Sequence, residues 1–208
     1  LETPRLLLNG PTMAPRTIVL AHGAGAGMDS PFMNSIASGL VERGERVARF
    51  EFPYMNERRI DGGRKPPNTS ATLMDCWRKA IKLLGPADRL VIGGKSLGGR
   101  IASLVADETD VAGLLCLGYP FHPPGQPERI RTQHLTDLAT PTLIVQGERD
   151  PFGNQVEVDG YDLSNSIRIV WLSDGDHSFK PRKKSGHTEP ENLDKAIHSI
   201  STFVERLF

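Results

Sequence analysis

The stretch Leu90-Val91-Ile92-Gly93-Gly94-Lys95-Ser96-Leu97-Gly98-Gly99-Arg100 decides the fold of this chain. It begins with apolar residues typical of a β-strand, passes through two glycines and a serine, and continues into a segment of helical composition. Residues 94–98 match G-x-S-x-G, a sharp strand-to-helix turn that exposes the serine hydroxyl at the end of a sheet. Glycines flank that serine because strand and helix pass too close to each other for a Cβ atom. The pattern therefore predicts a nucleophile elbow with Ser96 at its tip.

Two nucleotide-binding patterns overlap with the glycine-rich stretches, and their spacing excludes both. Gly94-Lys95-Ser96 resembles the end of a phosphate-binding loop, but the first glycine of that pattern would fall on Arg89. Residues 22–27, His-Gly-Ala-Gly-Ala-Gly, resemble a dinucleotide fingerprint, but its third glycine falls on Met28 or Ser30. The chain also has no H-x-x-x-H pair of the kind that binds zinc. We therefore expect neither a cofactor nor a metal.

Length and composition restrict the class of protein. The 208 residues are most simply one domain, residues 1–208, with room for a substantial core. The 25 basic and 25 acidic residues balance, so no overall field attracts nucleic acid or an anionic membrane. No apolar run approaches the roughly 18 residues of a membrane span, and residues 1–15 lack the pattern of a signal peptide. We expect a cytoplasmic monomer or small homo-oligomer with no nucleic-acid or membrane partner.

Apolar, strand-like runs alternate with helix-like segments along the chain. Strands are predicted at 6–8 (an edge strand), 17–21, 47–52, 89–93, 111–117, 142–146 and 167–172. Helices are predicted from Ser30 to Gly44, from about 69 to 84, from 97 to 108 and from Pro190 onward, whereas 56–69 is predicted as a surface loop and 119–141 as a connection with one short helix. Strands that are apolar throughout indicate a parallel sheet covered on both faces. The predicted fold is α/β, doubly wound, with a mostly parallel sheet of about six or seven strands and no cap domain.

The distinctive polar residues follow the ends of predicted strands. In an open parallel sheet, functional residues lie on loops at the carboxyl ends of the strands. Core packing does not require polar residues there, so these positions predict a functional site: His22, Tyr54, Ser96, Asp150 and His177.

Three of these residues have the chemistry of a catalytic triad. A serine hydroxyl becomes nucleophilic when a histidine takes its proton, and an acidic residue orients that histidine. Behind an elbow of this type the partners follow in the order serine, Asp or Glu, then histidine. Ser96, Asp150 and His177 have that order. The open alternatives are a helix-capping role for Asp150, Asp174 or Asp176 as the acid, and His187 as the base.

Several segments distributed along the chain carry a family resemblance. They are His22-Gly23-Ala24-Gly25-Ala26-Gly27-Met28-Asp29-Ser30-Pro31-Phe32-Met33, Arg49-Phe50-Glu51-Phe52-Pro53-Tyr54-Met55, residues 93–100, residues 147–151 and residues 175–179. With them the chain resembles α/β-hydrolases of the dienelactone hydrolase-like branch, and most of all small hydrolases related to a testis-expressed protein and to a subunit of a histone-acetyltransferase complex. It departs from full-size members in its short N-terminal part and in having only about two dozen residues, 119–141, where others insert a cap.

The resemblance also implies where the oxyanion of an acyl-transfer reaction would bind. One donor would be the backbone N–H of Leu97, directly after the nucleophile. The family pattern places the other just after His-Gly, at Ala24, with Gly25 as the alternative. A tight turn that only joins strand to helix is the competing interpretation of residues 22–27. Weaker candidates for substrate contact are His22, Gly25, Tyr54 and Lys95; Tyr54 is otherwise a packed aromatic residue, and Lys95 is otherwise solvated.

These observations predict an esterase-like serine hydrolase that acts on a small soluble ester or thioester through an acyl-enzyme. Its partner would be this small-molecule substrate. Two alternatives stay open. One is an acyltransferase or perhydrolase that uses the same triad, and the other is a non-catalytic interaction module that retains the hydrolase fold.

Overall fold

The computed structural model describes residues 4–208. It contains seven strands: β1 (Leu6–Asn9), β2 (Thr17–Ala21), β3 (Val47–Phe50), β4 (Leu90–Lys95), β5 (Gly113–Leu117), β6 (Thr142–Gly147) and β7 (Ile167–Leu172). They form one sheet in the order β1-β3-β2-β4-β5-β6-β7. Edge strand β1 is antiparallel to β3, and all other neighbouring pairs are parallel. The predicted mostly parallel sheet and its edge strand are confirmed.

Within residues 4–208, six α-helices connect or flank the strands: α1 (Pro31–Glu42), α2 (Pro53–Asp61), α3 (Ser70–Leu84), α4 (Leu97–Ser103), α5 (Gln155–Val158) and α6 (Glu189–Glu205). Their starts follow local chemistry. Proline stands in the first turn of α1, where its missing N–H has no intrahelical acceptor anyway. At α6, Thr188 and Glu191 form a reciprocal capping box. No helix in residues 4–208 is both long and apolar enough to cross a membrane.

The sheet is covered on both faces, each by its own apolar cluster. On one face α3 and α4 pack on the sheet around Trp77, whose ring is fully buried 4.7 Å from that of Phe50. On the other face α1 and α6 pack together over Leu20 and Leu143. Burial of a large apolar side chain contributes about 1.5–3 kcal/mol. The doubly wound α/β class is therefore confirmed, and residues 4–208 include no separate cap domain.

The main departure from prediction is the stretch 56–69. Its first part belongs to helix α2, which begins after Phe52 and ends at Gly62 in the left-handed conformation. Only Tyr54 and Met55 of this helix are buried, so it has no apolar periodicity that the sequence could reveal. Contacts of its polar side chains with the loop after β2 hold it instead. The helix after the elbow is also shorter than predicted, because α4 ends at Ser103.

Candidate active site

Ser96 occupies a strained turn between β4 and α4. Its φ of 49° and ψ of −111° lie outside the regions that non-glycine residues favour. Gly94 has a φ of 149°, and a Cβ on either Gly94 or Gly98 would overlap the carbonyl of Ala21 in the neighbouring strand. Strained residues of this kind cluster at functional sites, where the surrounding structure holds them. Because Gly94 and Gly98 have no Cβ, β4 and α4 can approach β2 closely, and the turn between them raises the Ser96 side chain above the sheet.

A continuous hydrogen-bonded chain connects three side chains at the carboxyl edge of the sheet. His177 Nε2 lies 2.9 Å from Ser96 Oγ, and His177 Nδ1 lies 2.8 Å from Asp150 Oδ2. Asp150 is 0% exposed, whereas Ser96 and His177 are partly exposed. The chain thus runs from a buried carboxylate through an imidazole to a hydroxyl that solvent can reach.

The Asp150 carboxylate is oriented by two further donors. The Phe152 N–H donates to Oδ1 at 2.9 Å, and Gln146 Nε2 donates to Oδ2 at 3.0 Å. The Gln146 amide is itself fixed, since its Oε1 accepts the N–H of Tyr119 at 2.7 Å. Sequence reasoning missed Gln146, although a glutamine that directly follows the apolar residues 143–145 of a predicted strand was a usable signal.

His177 is tuned toward its neutral form. Burial lowers its pKa from the ordinary value of 6.5, the hydrogen bond to Asp150 opposes this, and the nearby Lys95 ammonium lowers the pKa further. The ring of Phe152 covers the imidazole with centroids 4.2 Å apart. The histidine is therefore available as a proton acceptor near neutral pH.

Two backbone N–H groups near Ser96 have no acceptor within residues 4–208. Leu97 is the first residue of α4, where the N–H has no intrahelical partner. Ala24 lies in the loop after β2, and its N–H has no hydrogen-bond acceptor in the part of the chain that the structure describes. The carbonyls of this loop face α2: Tyr54 Oη donates to the Gly23 carbonyl at 3.1 Å, and Arg58 Nη1 donates to that of Ala24 at 3.1 Å.

Two of the weaker predictions require correction. His22 is 0% exposed; its Nε2 accepts the N–H of Phe52 at 3.1 Å, so Nδ1 donates to the Gly23 carbonyl at 2.6 Å. Tyr54 is 1% exposed and has its hydroxyl on the same carbonyl. Both side chains therefore turn inward beneath the loop after β2 and do not border the cavity beside Ser96. Burial lowers the pKa of His22 and raises that of Tyr54 to about 12.

The alternative candidates for the acid and the base of the triad are used elsewhere or lie apart from Ser96. Asp174 accepts the backbone N–H of Arg182 and pairs with its guanidinium, and Asp176 accepts the N–H of Ser178 and that of Lys180. Both thus shape the loop that carries the histidine, whereas His187 is exposed. His122 lies in the interior: it is 2% exposed, and its Nε2 lies 3.2 Å from Glu157 Oε2.

A cavity of about 470 Å³ lies beside Ser96. Its walls are mostly small or apolar: Gly23, Ala24, Gly25, Ala26, Ser30, Pro31, Phe32, Met33, Lys95, Ser96, Phe152, His177 and Ser178. Gly25 and Lys95 thus border the space into which Ser96 opens. Within residues 4–208, no group of three or more His, Cys, Asp or Glu side chains is placed to hold a metal ion.

A buried carboxylate that sequence reasoning missed holds the loop after β2. Glu51, with a side chain 0% exposed, accepts the Met28 N–H at 3.1 Å and the Arg59 guanidinium at 2.6–2.9 Å. Arg59 also pairs with Asp29. This clamp ties α2 to the loop that contains Ala24. Its only signal in the sequence was an acidic residue within the predicted strand 47–52, which the structure ends at Phe50.

The doubly wound sheet and the hydrogen-bonded side chains at its carboxyl edge are those of an alpha/beta hydrolase, and the comparison with protein-family models gives the same class. A family model described as an alpha/beta hydrolase domain matches residues 14–205. Because the match covers most of the chain, the protein belongs to the alpha/beta hydrolase family.

Solved structures with the same fold share little sequence with this chain. A dienelactone hydrolase from Anabaena variabilis has a TM-score of 0.72 at 21% identity, over 99% of both chains. A serine hydrolase without a lid from Xanthomonas campestris has a TM-score of 0.69 at 21% identity, over 97% of this chain and 87% of that one. A serine hydrolase homologue from Coxiella burnetii has a TM-score of 0.69 at 19% identity, over 98% and 91%. At these identities the likeness shows the fold alone.

Proposed function

We propose that the protein is a serine hydrolase that cleaves a small carboxylic ester or thioester through an acyl-enzyme. The observation that carries this proposal is the hydrogen-bonded chain from Asp150 through His177 to Ser96. A merely structural serine would not need a strained turn, a buried carboxylate and an intervening imidazole of lowered pKa. Proteins described as serine hydrolases and as a dienelactone hydrolase have the same fold, so this fold accommodates the proposed class of reaction.

In the first half-reaction Ser96 Oγ attacks the carbonyl carbon while His177 Nε2 takes the hydroxyl proton. Asp150 stabilises the resulting imidazolium. When the tetrahedral intermediate collapses, the alcohol or thiol leaves with the proton from His177, and the acyl group stays on Ser96. In the second half-reaction water attacks this acyl-enzyme, gives its proton to His177, and the acid is released as the serine regains its proton.

The negative oxygen of the tetrahedral intermediate would accept hydrogen bonds from the Leu97 and Ala24 N–H groups. In a trans peptide the N–H points opposite to the preceding carbonyl. Because Tyr54 and His22 hold the Gly23 carbonyl on the α2 side, the Ala24 N–H is directed away from α2. Loss of one oxyanion donor typically costs about 10²–10³ in kcat.

A fluorophosphonate probe followed by peptide mapping tests the activated serine. We expect labelling at Ser96 that is lost in Ser96→Ala and retained in Ser178→Ala, a matched control at another serine bordering the cavity. With 4-nitrophenyl acetate and butyrate, Ser96→Ala and His177→Ala are expected to lower kcat by about 10⁴-fold or more.

Two outcomes would redirect the proposal. A well-folded protein that is neither labelled nor active would instead be a non-catalytic interaction module. Labelling together with a predominance of transesterified or peracid product, when alcohol or hydrogen peroxide is present, would identify an acyltransferase or perhydrolase.

A further inference from the structure

Lys95 directly precedes the candidate nucleophile and ends among groups of the active site. Its ammonium donates a hydrogen bond to the His177 carbonyl. It also lies over two aromatic rings, 5.4 Å from the centroid of Phe32 and 5.7 Å from that of Phe179. The residue is only partly exposed, and it borders the cavity beside Ser96. Lys95 is therefore neither a freely solvated side chain nor a residue of the outer rim.

The positive charge of Lys95 has no carboxylate partner within the described part of the chain. None of the ion pairs among residues 4–208 includes it. The neighbouring carboxylates are already engaged, Asp150 by His177 and Asp176 by backbone N–H groups. An ammonium has three donors, and the His177 carbonyl is the one acceptor it has among these residues. Burial of this unpaired charge lowers the Lys95 pKa to about 8.

The other residues of the cavity wall leave the Lys95 ammonium as the group that would distinguish an anionic ligand from a neutral one. Apart from Ser96 and His177, which take part in the candidate reaction, the wall consists of small, apolar or hydroxyl-bearing residues, and Lys95 is the one lysine or arginine among the wall residues. Next to walls that are mostly apolar, a charge acts more strongly on a ligand than it would in bulk water. A neutral acyl chain would leave the ammonium unpaired, whereas an anionic one would compensate it.

We infer that the substrate carries a carboxylate on its acyl group and that the Lys95 ammonium selects it. The inference rests on the hydrolase function proposed above and adds a substrate class, the half-esters of dicarboxylic acids. The acyl side is favoured because the acyl group stays on Ser96, next to Lys95, through both half-reactions. A carboxylate on the leaving group would be lost after the first.

The test compares monomethyl and dimethyl esters of succinic, glutaric and adipic acid, with acid release followed by pH-stat at pH 7. At one chain length or more, we expect the wild-type kcat/KM to favour the monomethyl ester over its dimethyl counterpart by at least tenfold. Lys95→Met should reduce that preference at least tenfold, and Lys95→Arg should retain part of it. Lys183→Met, which removes an exposed lysine from the loop after His177, is the matched control and should leave the ratio unchanged.

The outcomes separate this inference from the proposed function. If the probe labels Ser96 and the dimethyl esters are cleaved without any preference for monomethyl esters, or if Lys95→Met retains the preference, the inference is wrong while the hydrolase stands. If Ser96 is unreactive and no ester is cleaved, both are wrong. Should Lys95→Met not fold, protection of wild-type Ser96 from the probe decides: glutarate or adipate must protect better than the corresponding diamide.

Discussion

Replacing Glu51 by glutamine tests whether the buried clamp holds the loop after β2. The wild-type carboxylate accepts the Met28 N–H and the Arg59 guanidinium. Glutamine keeps one oxygen, but its NH₂ group cannot accept from a guanidinium, so at least one charge-assisted hydrogen bond of about 1.5–3 kcal/mol is lost. Breaking a fully buried ion pair costs about 3–5 kcal/mol. Arg59, however, is 37% exposed and keeps Asp29 as a partner, which limits the penalty.

We therefore expect Glu51→Gln to lower the free energy of unfolding by about 2–3 kcal/mol. At about 2–4 °C per kcal/mol for a chain of this size, Tm should fall by about 4–12 °C in a calorimetric scan. Asp29→Asn is the matched control, because it removes the other carboxylate bound to Arg59 at a site 51% exposed, and it should cost at most about 1 kcal/mol. Equal Tm values for the two variants would refute the assignment of a buried clamp. For a neutral ester, the displaced loop should lower kcat more than it changes KM.

Two further predictions concern the base and the elbow. Because burial lowers the His177 pKa, kcat/KM for a neutral ester should be constant between pH 8 and 7 and should decline at lower pH with a midpoint below 6.5. The decline is expected because a protonated imidazole cannot accept the Ser96 proton. A pH–rate profile with a midpoint clearly above 6.5 would contradict the assignment of His177 as the base. Gly98→Ala should lose at least about 2 kcal/mol in urea unfolding, because the new Cβ would meet the Ala21 carbonyl. Gly63→Ala, in open surroundings, should change stability by no more than about 0.5 kcal/mol, and equal losses in both would disprove the close approach.

The sequence predicted the sheet and the elbow well because their signals are local. Apolar runs predict buried parallel strands, and the glycines around Ser96 mark a crossing where no side chain fits. The positions of Asp150 and His177 after strands were equally readable, since strand ends converge at one edge of the sheet. Their approach to within hydrogen-bonding distance follows from topology and not from adjacency in the sequence.

The orientation of polar side chains at that edge could not be predicted in the same way. His22 and Tyr54 have the positions of substrate contacts, yet both turn inward to the Gly23 carbonyl. That direction depends on α2, which the sequence did not predict because its residues are mostly polar and its stability comes from tertiary contacts. A helix that is stabilised mainly by polar contacts with a neighbouring loop shows no apolar periodicity in its sequence.

The two buried carboxylates, Glu51 and Asp150, explain why the candidate site needs more than a triad. Each follows a parallel strand, each is 0–1% exposed, and each accepts a backbone N–H together with a side-chain donor. A buried anion is costly, and an apolar residue would pack at such a position at a lower cost in free energy. Asp150 fixes the group that moves the proton, and Glu51 fixes the loop that contains Ala24. A tetrahedral intermediate would form between the proton-transfer groups and the loop, so its stabilisation requires both to be held in advance. A buried carboxylate satisfied by several donors fixes a single arrangement of the groups bound to it.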